Sequence, residues 1–216
     1  MNIETARNQL IEQQLRACEV LDPDVLRVLR EVRREHFVPG AYRALAFADT
    51  GIPIGHGQYM MTPQVEGRVL QALDVGPADR VLEVGTGSGY LTGCLAALGG
   101  EITSLEIFPD FADKARRTLH AAGVKECRLL AGDVFDWQPD EKYSRIVLTG
   151  SLPVYDARFE EWLEHGGRMF AVVGVAPVME AVLVTADSAG QLRRDSLFET
   201  QLGPLVNARR PAPFQF

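Results

Sequence analysis

The sequence predicts an α/β fold with one largely parallel sheet that ends in antiparallel strands. From Arg80 onward, short apolar runs alternate with helix-length amphipathic segments, which is the pattern of successive βαβ units. The runs are continuously apolar rather than alternating, and this is typical of strands that helices cover on both faces. Near the end, Asp187-Ser188-Ala189-Gly190 separates two strand-like segments and indicates a hairpin turn.

Helices and one loop are predicted for the first third of the chain. Asp22-Pro23 supplies an N-cap and a first-turn proline, and apolar residues then recur at helical spacing in a helix that stops by Pro39-Gly40. Segment 44–59 contains Gly51, Gly55 and Gly57 and is expected to be irregular, neither strand nor helix. Thr62-Pro63 again combines an N-cap with a first-turn proline and predicts a further helix.

Seven segments of the remaining chain are predicted strands: 81–84, 101–107, 128–130, 146–148, 169–173, 180–185 and 191–200. We expect a single domain over residues 1–216. Within it, residues 1–61 would form N-terminal helices and a loop that covers the site, and residues 62–216 would form the cofactor-binding core with the C-terminal strands.

Composition restricts the partners of the protein. A formal net charge of −7 and a pI near 5.2 argue against nucleic acid, because phosphate contacts need clustered Lys and Arg. Cys18, Cys94 and Cys127 form no C-x-x-C pair, which indicates a reducing compartment. With neither a signal-like N-terminus nor a membrane-length apolar stretch, we expect a cytoplasmic protein that binds no membrane. The histidines show no metal-ligand spacing, so no metal site is expected.

The clearest chemical signal is a glycine-rich loop, Gly85-Thr86-Gly87-Ser88-Gly89, between a predicted strand and a predicted helix. Glycines at this point allow a ligand to approach the backbone closely. The spacing is G-x-G-x-G, whereas a dinucleotide site has G-x-G-x-x-G. Glu83 precedes the loop, where it would repel a pyrophosphate and could pair with a cation. An ordinary strand-to-helix turn is the alternative reading.

Acidic residues also end the next two predicted strands. Glu106 follows the loop by about 20 residues, where a carboxylate can accept from two ribose hydroxyls. Gly132-Asp133 closes the third strand, where Asp can accept from the amine of adenine. A ribose, an adenine and a cationic remainder without phosphates describe S-adenosylmethionine, which we expect as the cofactor. The expected cofactor-binding residues are Tyr59, Met60, Glu83, Gly85, Thr86, Gly87, Ser88, Gly89, Glu106, Ile107, Gly132, Asp133, Val134 and Thr149.

Over most of its length the sequence resembles the protein-L-isoaspartate O-methyltransferase family. The resemblance lies in residues 31–39, 46–49 and 52–55, and most closely in Leu82-Glu83-Val84-Gly85-Thr86-Gly87-Ser88-Gly89-Tyr90. It implies a Rossmann-like, doubly wound sheet of seven strands with N-terminal additions over the site. It also implies that the loop holds S-adenosylmethionine, that Glu106 holds the ribose, and that Gly132-Asp133 lies by the adenine. Members of this family methylate the α-carboxylate of L-isoaspartyl residues in damaged proteins, which begins their repair.

The sequence departs from the family on the methyl-acceptor side. Where the family has Gln-Thr-Ile-Ser-x-Pro, this chain has Gln58-Tyr59-Met60-Met61-Thr62-Pro63, so Met61 replaces a serine of the methyl-transfer site. A thioether cannot donate a hydrogen bond. Thr62 offers a hydroxyl one residue later, although it is also the natural N-cap of the next helix. Met61 and Thr62 are the candidate catalytic residues. Two further segments differ from the family. Its Gly-Asp-Gly is Gly132-Asp133-Val134 here, and its Thr-Ala-Ala is Thr149-Gly150-Ser151.

Three functions fit these observations. The first is methylation of isoaspartyl carboxylates in a protein or peptide substrate, a reaction that depends on alignment more than on acid or base help. The second is the same chemistry on a different acceptor, such as a small molecule. The third is a module that binds the cofactor without turnover. Either a monomer or a homodimer is compatible with the sequence.

Overall fold

The computed structural model describes residues 3–124 and 127–212. The ends of the domain predicted over residues 1–216 lie outside these described residues. The α-helices are α1 (Ile3–Gln9), α2 (Pro23–Glu31), α3 (Pro63–Leu73), α4 (Tyr90–Ala97), α5 (Pro109–Ala121) and α6 (Arg158–Glu161). The strands are β1 (Ile52–Gly55), β2 (Gln58–Met60), β3 (Arg80–Val84), β4 (Glu101–Glu106), β5 (Cys127–Ala131), β6 (Tyr143–Leu148), β7 (Leu163–Val175), β8 (Val178–Ala186) and β9 (Leu192–Glu199). A π-helical segment spans Leu10–Leu15, and 3-10 helical segments span Arg16–Cys18, Arg34–His36 and Gly40–Leu45.

Seven strands form one sheet in the order β5-β4-β3-β6-β7-β8-β9. Strands β3 to β7 pair in parallel, whereas β8 pairs antiparallel with both β7 and β9. The chain runs outward from β3 to β5 and then returns to the other side of β3 to form β6. Such a reversal leaves a crevice at the carboxyl ends of the two central strands, which is where open α/β sheets bind ligands.

Two apolar clusters cover the two faces of this sheet. On one face Val81, Ile102 and Phe170 belong to a cluster that extends into α2, α3, α4 and α5. On the other face the cluster includes Phe159 and Trp162, at and just after the four-residue α6. The connection between β5 and β6, residues 132–142, consists of turns and irregular backbone rather than a helix. The expected fold class is confirmed, although loops cover much of the second face.

The N-terminal helices begin where their caps predict. The carboxylate of Asp22 accepts hydrogen bonds from the amides of Asp24 and Val25 and caps α2, and the hydroxyl of Thr62 accepts from the amide of Val65 and caps α3. Helix α2 ends at Glu31, well before Pro39, because Val32 adopts an extended conformation. In the described part of the chain, no helix is both long enough and apolar enough to cross a membrane.

The prediction of irregular structure for residues 44–59 matches residues 46–51, which are turns, bends and irregular backbone, but is wrong for the segment that begins at Ile52. Strands β1 and β2 form an antiparallel hairpin in which Ile52 pairs with Met60. Gly55, His56 and Gly57 all have positive φ angles, of 122°, 47° and 69°, and form its turn. The glycines that suggested a loop therefore serve the turn of a hairpin, and this hairpin lies beside the crevice.

Candidate functional site

A cavity of about 290 Å³ lies at the carboxyl ends of the central strands. Most of the predicted site residues line it, namely Tyr59, Met60, Met61, Thr62, Gly85, Gly87, Glu106, Ile107, Gly132, Asp133, Val134 and Thr149. The structure does not place Glu83, Thr86, Ser88 or Gly89 in the lining. The cavity thus has two sides, one formed by the glycine loop with the ends of β4 and β5, the other by the residues that follow β2.

The glycine loop requires its glycines. Gly85, Gly87 and Gly89 have φ angles of 96°, 52° and 82°, a region that other residues rarely adopt. A Cβ atom on Gly85 would lie 2.3 Å from Oγ1 of Thr149, whose hydroxyl donates to the carbonyl of Gly85 over 2.7 Å. The amide of Gly85 donates to the carbonyl of Leu105 over 2.8 Å. The loop is consequently held from both neighbouring strands, with bare backbone facing the cavity.

Glu106 joins the end of β4 to this loop. Its Oε2 accepts from the Gly87 amide over 2.7 Å, and its Oε1 accepts from the Phe108 amide over 3.0 Å. Burial raises the pKa of Glu106, and these backbone amides oppose the rise. Because an ionised carboxylate offers about four acceptor sites, both oxygens retain capacity for the hydroxyls of a ribose.

Asp133 is held by the C-terminal segment. Its Oδ1 accepts from the amide of Phe135 over 2.9 Å, and its Oδ2 accepts from Nδ2 of Asn207 over 2.6 Å. The Gly132 amide donates to the carbonyl of Glu106 over 2.9 Å and joins the ends of β5 and β4. Asp133 and Glu106 are thereby fixed on the same side of the cavity.

Glu83 lies beneath the loop and not in the cavity. Its side chain is fully buried, and its Oε2 accepts from Oγ1 of Thr92 over 2.5 Å and from Oγ of Ser104 over 2.6 Å. Ser104 Oγ is also 2.5 Å from Oγ1 of Thr86, inside the glycine loop. Burial raises the pKa of Glu83 to about 7. This position supports a role in fastening the loop rather than the expected pairing with a cationic ligand.

The other side of the cavity is apolar. Met60 and Met61 are buried, whereas Tyr59 is 61% exposed. The Thr62 hydroxyl lines the cavity while it accepts from the Val65 amide over 3.4 Å as the cap of α3. The Met61 carbonyl accepts from Nη2 of Arg34 over 2.7 Å. Of the two candidate catalytic side chains, Thr62 alone carries a hydroxyl, which accepts from the Val65 amide as a cap and keeps its own proton for donation.

Sequence reasoning missed a wall that follows β9. Residues 201–206 line the cavity because they pair with the chain after β6: the Ser151 amide donates to the Gly203 carbonyl over 2.8 Å, and the Leu205 amide donates to the Ser151 carbonyl over 3.0 Å. No motif marks this segment. Gly51, Ile54, Phe108 and Phe111 also line the cavity without having been predicted.

His56 fastens the β1–β2 hairpin over this site. Its Nε2 lies 3.0 Å from Oδ2 of Asp110, and its ring stacks on Phe108 at a centroid distance of 4.3 Å. Hydrogen bonding to His56 lowers the pKa of Asp110. Phe108 and Phe111 line the cavity, so the hairpin packs directly on its wall. Through residues 3–124 and 127–212, no group of three or more His, Cys, Asp or Glu side chains is placed to hold a metal ion.

Comparisons with known proteins agree with this geometry. A family model described as protein-L-isoaspartate(D-aspartate) O-methyltransferase (PCMT) matches residues 5–210. The protein-L-isoaspartate O-methyltransferase 1 of Rhodopseudomonas palustris (strain HaA2) is 35% identical over 202 residues, which cover 93% of this chain and 82% of that protein. The protein-L-isoaspartate O-methyltransferase of Koribacter versatilis (strain Ellin345) is 33% identical over 208 residues, 96% of this chain and 93% of that protein.

One solved structure is similar over nearly the whole fold. It is a Plasmodium falciparum chain described as a protein-L-isoaspartate O-methyltransferase and crystallised with S-adenosyl-L-homocysteine. The TM-score is 0.81 at 17% identity, with 95% of this chain and 98% of that chain covered. This likeness confirms the expected fold class, and the family match with its relatives confirms the expected resemblance.

Gly85→Ala is expected to weaken the binding of S-adenosyl-L-homocysteine by roughly tenfold or more, because strain at a positive φ angle costs about 1–3 kcal/mol and the new methyl group would displace Thr149. Isothermal titration calorimetry measures this. Gly123→Ala is the matched control, since Gly123 has a φ angle of 81° and no atom of the described residues beyond its chain neighbours lies within 4 Å of the added Cβ. Equal effects of the two substitutions would contradict the assignment of the loop to the ligand.

Glu83→Gln is expected to change how stability depends on pH. A carboxyl group whose pKa rises from 4.5 to about 7 on folding stabilises the protein fully below 4.5, and that contribution is lost as the pH rises through about 7. The free energy of unfolding of the wild type should therefore fall relative to Glu83→Gln across this window, by up to about 1.4 kcal/mol for each unit of pKa change.

Urea denaturation at several pH values measures this difference between the two proteins. Glu101→Gln, at the exposed start of β4, removes the same charge and serves as the control. Curves for Glu83→Gln and wild type that run parallel across the window would show that Glu83 is ionised in the folded protein throughout.

Proposed function

Since the chain belongs to the protein-L-isoaspartate(D-aspartate) O-methyltransferase family, we propose that it transfers the methyl group of S-adenosylmethionine to the α-carboxylate of L-isoaspartyl residues in damaged proteins. One observation carries the proposal. The glycine loop and the Glu106 carboxylate form one side of a cavity whose opposite side, around Met60 and Met61, is largely apolar and, among the described lining residues, has no carboxylate, lysine, arginine or histidine.

The residues on the loop side fit the cofactor. Gly85 and Gly87 present backbone without a Cβ atom, Glu106 has acceptor sites left for ribose hydroxyls, and Asp133 with Val134 forms the neighbouring wall for an adenine. When bound there, the cofactor supplies a methyl group on a positively charged sulfur atom. The described lining residues include the acids Glu106 and Asp133 and no lysine, arginine or histidine, so no positive side chain in the lining opposes that charge.

Alignment is the main task of the acceptor side. A carboxylate acceptor is already ionised near neutral pH, so no general base has to activate it. Met60 and Met61 exclude water from the path of transfer, and the Thr149-Gly150 turn with residues 201–206 closes the opposite wall. In the transfer, the bond from sulfur to methyl carbon breaks as the bond from carboxylate oxygen to that carbon forms. The residues act by holding the two partners in line.

A second groove supports a protein or peptide substrate. It shares Gly57, Gln58 and residues 203–206 with the cavity and continues past Asn207 to Arg210. An extended peptide in this groove would bring its isoaspartyl carboxylate to the Met61 side of the cavity. The exposed Arg210 guanidinium supplies the positive charge that the cavity lacks, which suits a substrate with acidic groups.

The remaining features of the proposed function rest on sequence. We assign the enzyme to protein repair in the cytoplasm, acting on proteins or peptides and not on nucleic acid or membranes, as a monomer or homodimer. Its single domain over residues 1–216 would use residues 1–61 as the cover of the site. The apolar contacts of Ile52 and Met60 with the cluster that also contains Val81 support this arrangement.

Transfer of a radiolabelled methyl group tests the proposal. The protein is incubated with labelled S-adenosylmethionine and an isoaspartyl peptide, the matching aspartyl peptide, or a cell extract. Label on the isoaspartyl peptide and none on the aspartyl peptide is the expected result. Label confined to other components of the extract would instead support a different acceptor, a candidate favoured by Met61 in the place of the family's serine. Cofactor binding without any transfer would support a non-catalytic module.

Met61→Ser is expected to raise kcat/KM for the isoaspartyl peptide, roughly tenfold, because the hydroxyl can donate a hydrogen bond to the acceptor carboxylate. The same labelling assay measures it. Met60→Ser is the matched control: it removes an equally buried methionine from the cavity wall and should give no gain. An unchanged rate for Met61→Ser would show that position 61 does not face the acceptor.

A further inference from the structure

Arg34 is one of the most deeply buried charged residues of the chain, with 2% of its surface exposed. It begins the short turn Arg34–His36 that follows α2. Its Nε donates to Oε2 of Glu66 over 2.9 Å, and its Nη2 donates to the Met61 carbonyl over 2.7 Å. Nη1 donates to the Ala46 carbonyl over 3.3 Å, and the guanidinium lies 5.3 Å from the centre of the Tyr90 ring.

These partners lie on the two sides of the proposed site. Met60, Met61 and Thr62 form the cavity wall that would face the methyl acceptor, here called the acceptor wall. Glu66 lies in the first turn of α3, directly after that wall. Tyr90 is the first residue of α4 and follows the glycine loop without a gap. One planar guanidinium therefore contacts the backbone of the acceptor wall and the helix that starts at the cofactor loop.

We infer that Arg34 is a positioning residue that fixes the Met61 carbonyl, and with it the acceptor wall, relative to the glycine loop, while Glu66 fixes the guanidinium. This inference rests on the proposed function. Arginine suits the task because its rigid fork can serve a carboxylate and two carbonyls at once, whereas the ammonium group of lysine is a compact point charge. In-line transfer is sensitive to such placement, since a displacement of about 1 Å can cost on the order of 100-fold in rate.

The contacts with the carbonyls distinguish this role from that of a simple structural ion pair. Pairing with Glu66 alone would join the turn after α2 to α3. The bond to the Met61 carbonyl, at 2.7 Å, is the shortest that Arg34 makes, and it acts on a residue that lines the cavity. Burial of a charged pair adds little net stability, so the gain from this arrangement lies in fixed geometry.

A second buried pair next to it provides a matched control. Glu35 pairs with Arg7, and both side chains are 6% exposed, compared with 2% and 3% for Arg34 and Glu66. Arg7 also contacts Glu4 and lies over the ring of Phe47. Glu4, Glu35 and Phe47 do not line the cavity. The two pairs thus share burial and charge but differ in whether they touch the acceptor wall.

The experiment compares Arg34→Lys and Glu66→Gln with Glu35→Gln. For each protein, Tm, the Kd for S-adenosyl-L-homocysteine, and kcat and KM for methylation of the isoaspartyl peptide are measured well below the lowest Tm. Hydrogen–deuterium exchange of residues 58–66 is followed in parallel. Arg34→Lys should lower kcat roughly 10- to 100-fold with little change in Kd, and should speed exchange in this segment. Glu66→Gln should do the same to a smaller extent, and Glu35→Gln should lower Tm without either effect.

The opposite pattern would overturn the inference. It fails if Arg34→Lys lowers Tm but leaves kcat and the exchange of residues 58–66 as they are in Glu35→Gln. If Arg34→Lys does not fold, Glu66→Gln against Glu35→Gln decides by the same criteria. Should the wild type itself methylate no peptide, the proposed function fails, and the exchange rates alone still decide whether Arg34 holds the acceptor wall.

Discussion

The hydrogen bond between the Gly87 amide and the Glu106 carboxylate is the interaction on which the site depends. It joins the turn after β3 to the end of β4, and so fixes the backbone of Gly87 beside the carboxylate expected to hold the ribose. The bond of the Gly85 amide to the Leu105 carbonyl supports it from the same strand. Only positive φ angles bring these amides into position, so the glycines are a geometric requirement of the hydrogen bonds.

The buried side chains of Glu83, Arg34 and Glu66 stabilise the segments around that hydrogen bond and do not line the cavity. Glu83 is linked to the loop through Ser104 and Thr86 and does not line the cavity. Arg34 and Glu66 hold the opposite wall from beneath. Buried polar groups of this kind are costly unless they are hydrogen-bonded. Here their hydrogen bonds hold the glycine loop on one side of the cavity and the acceptor wall on the other. The acidic residues of the site thus serve two purposes, with Glu106 and Asp133 in the cavity and Glu83 below it.

Much of the fold follows from local sequence. The caps at Asp22 and Thr62 and the seven strands of the sheet depend on neighbouring residues, and these predictions match the structure closely. The hairpin of residues 52–60 was missed because its strands are three and four residues long, too short for a hydrophobic period to be recognised among turn glycines.

Features that depend on contacts between residues far apart in the chain could not be predicted from the sequence. The wall of residues 201–206 exists because Ser151 pairs with Gly203 and Leu205, more than 50 residues later. The placement of Glu83 likewise depends on the register with Ser104 on β4, which no property of β3 alone reveals. In a strand buried on both faces, a continuous apolar run does not show which side chains point to a cavity. The glycine motif therefore predicted the turn between β3 and α4. Whether the side chain of Glu83, just before it, points into the cavity or into the core could be seen only in the structure.

The proposed acceptor wall is held through its backbone. Arg34 contacts the carbonyl of Met61 and not its side chain, so the backbone at this position is held in the same way whichever residue occupies it. Methyl transfer to a carboxylate asks for alignment rather than proton transfer, and alignment is what the backbone provides. A methionine in the place of the serine then alters the polarity presented to the acceptor without moving the wall. Under the proposed function, position 61 is the point at which acceptor preference would vary while the cofactor side, formed by Glu106 and the glycine loop, stays constant.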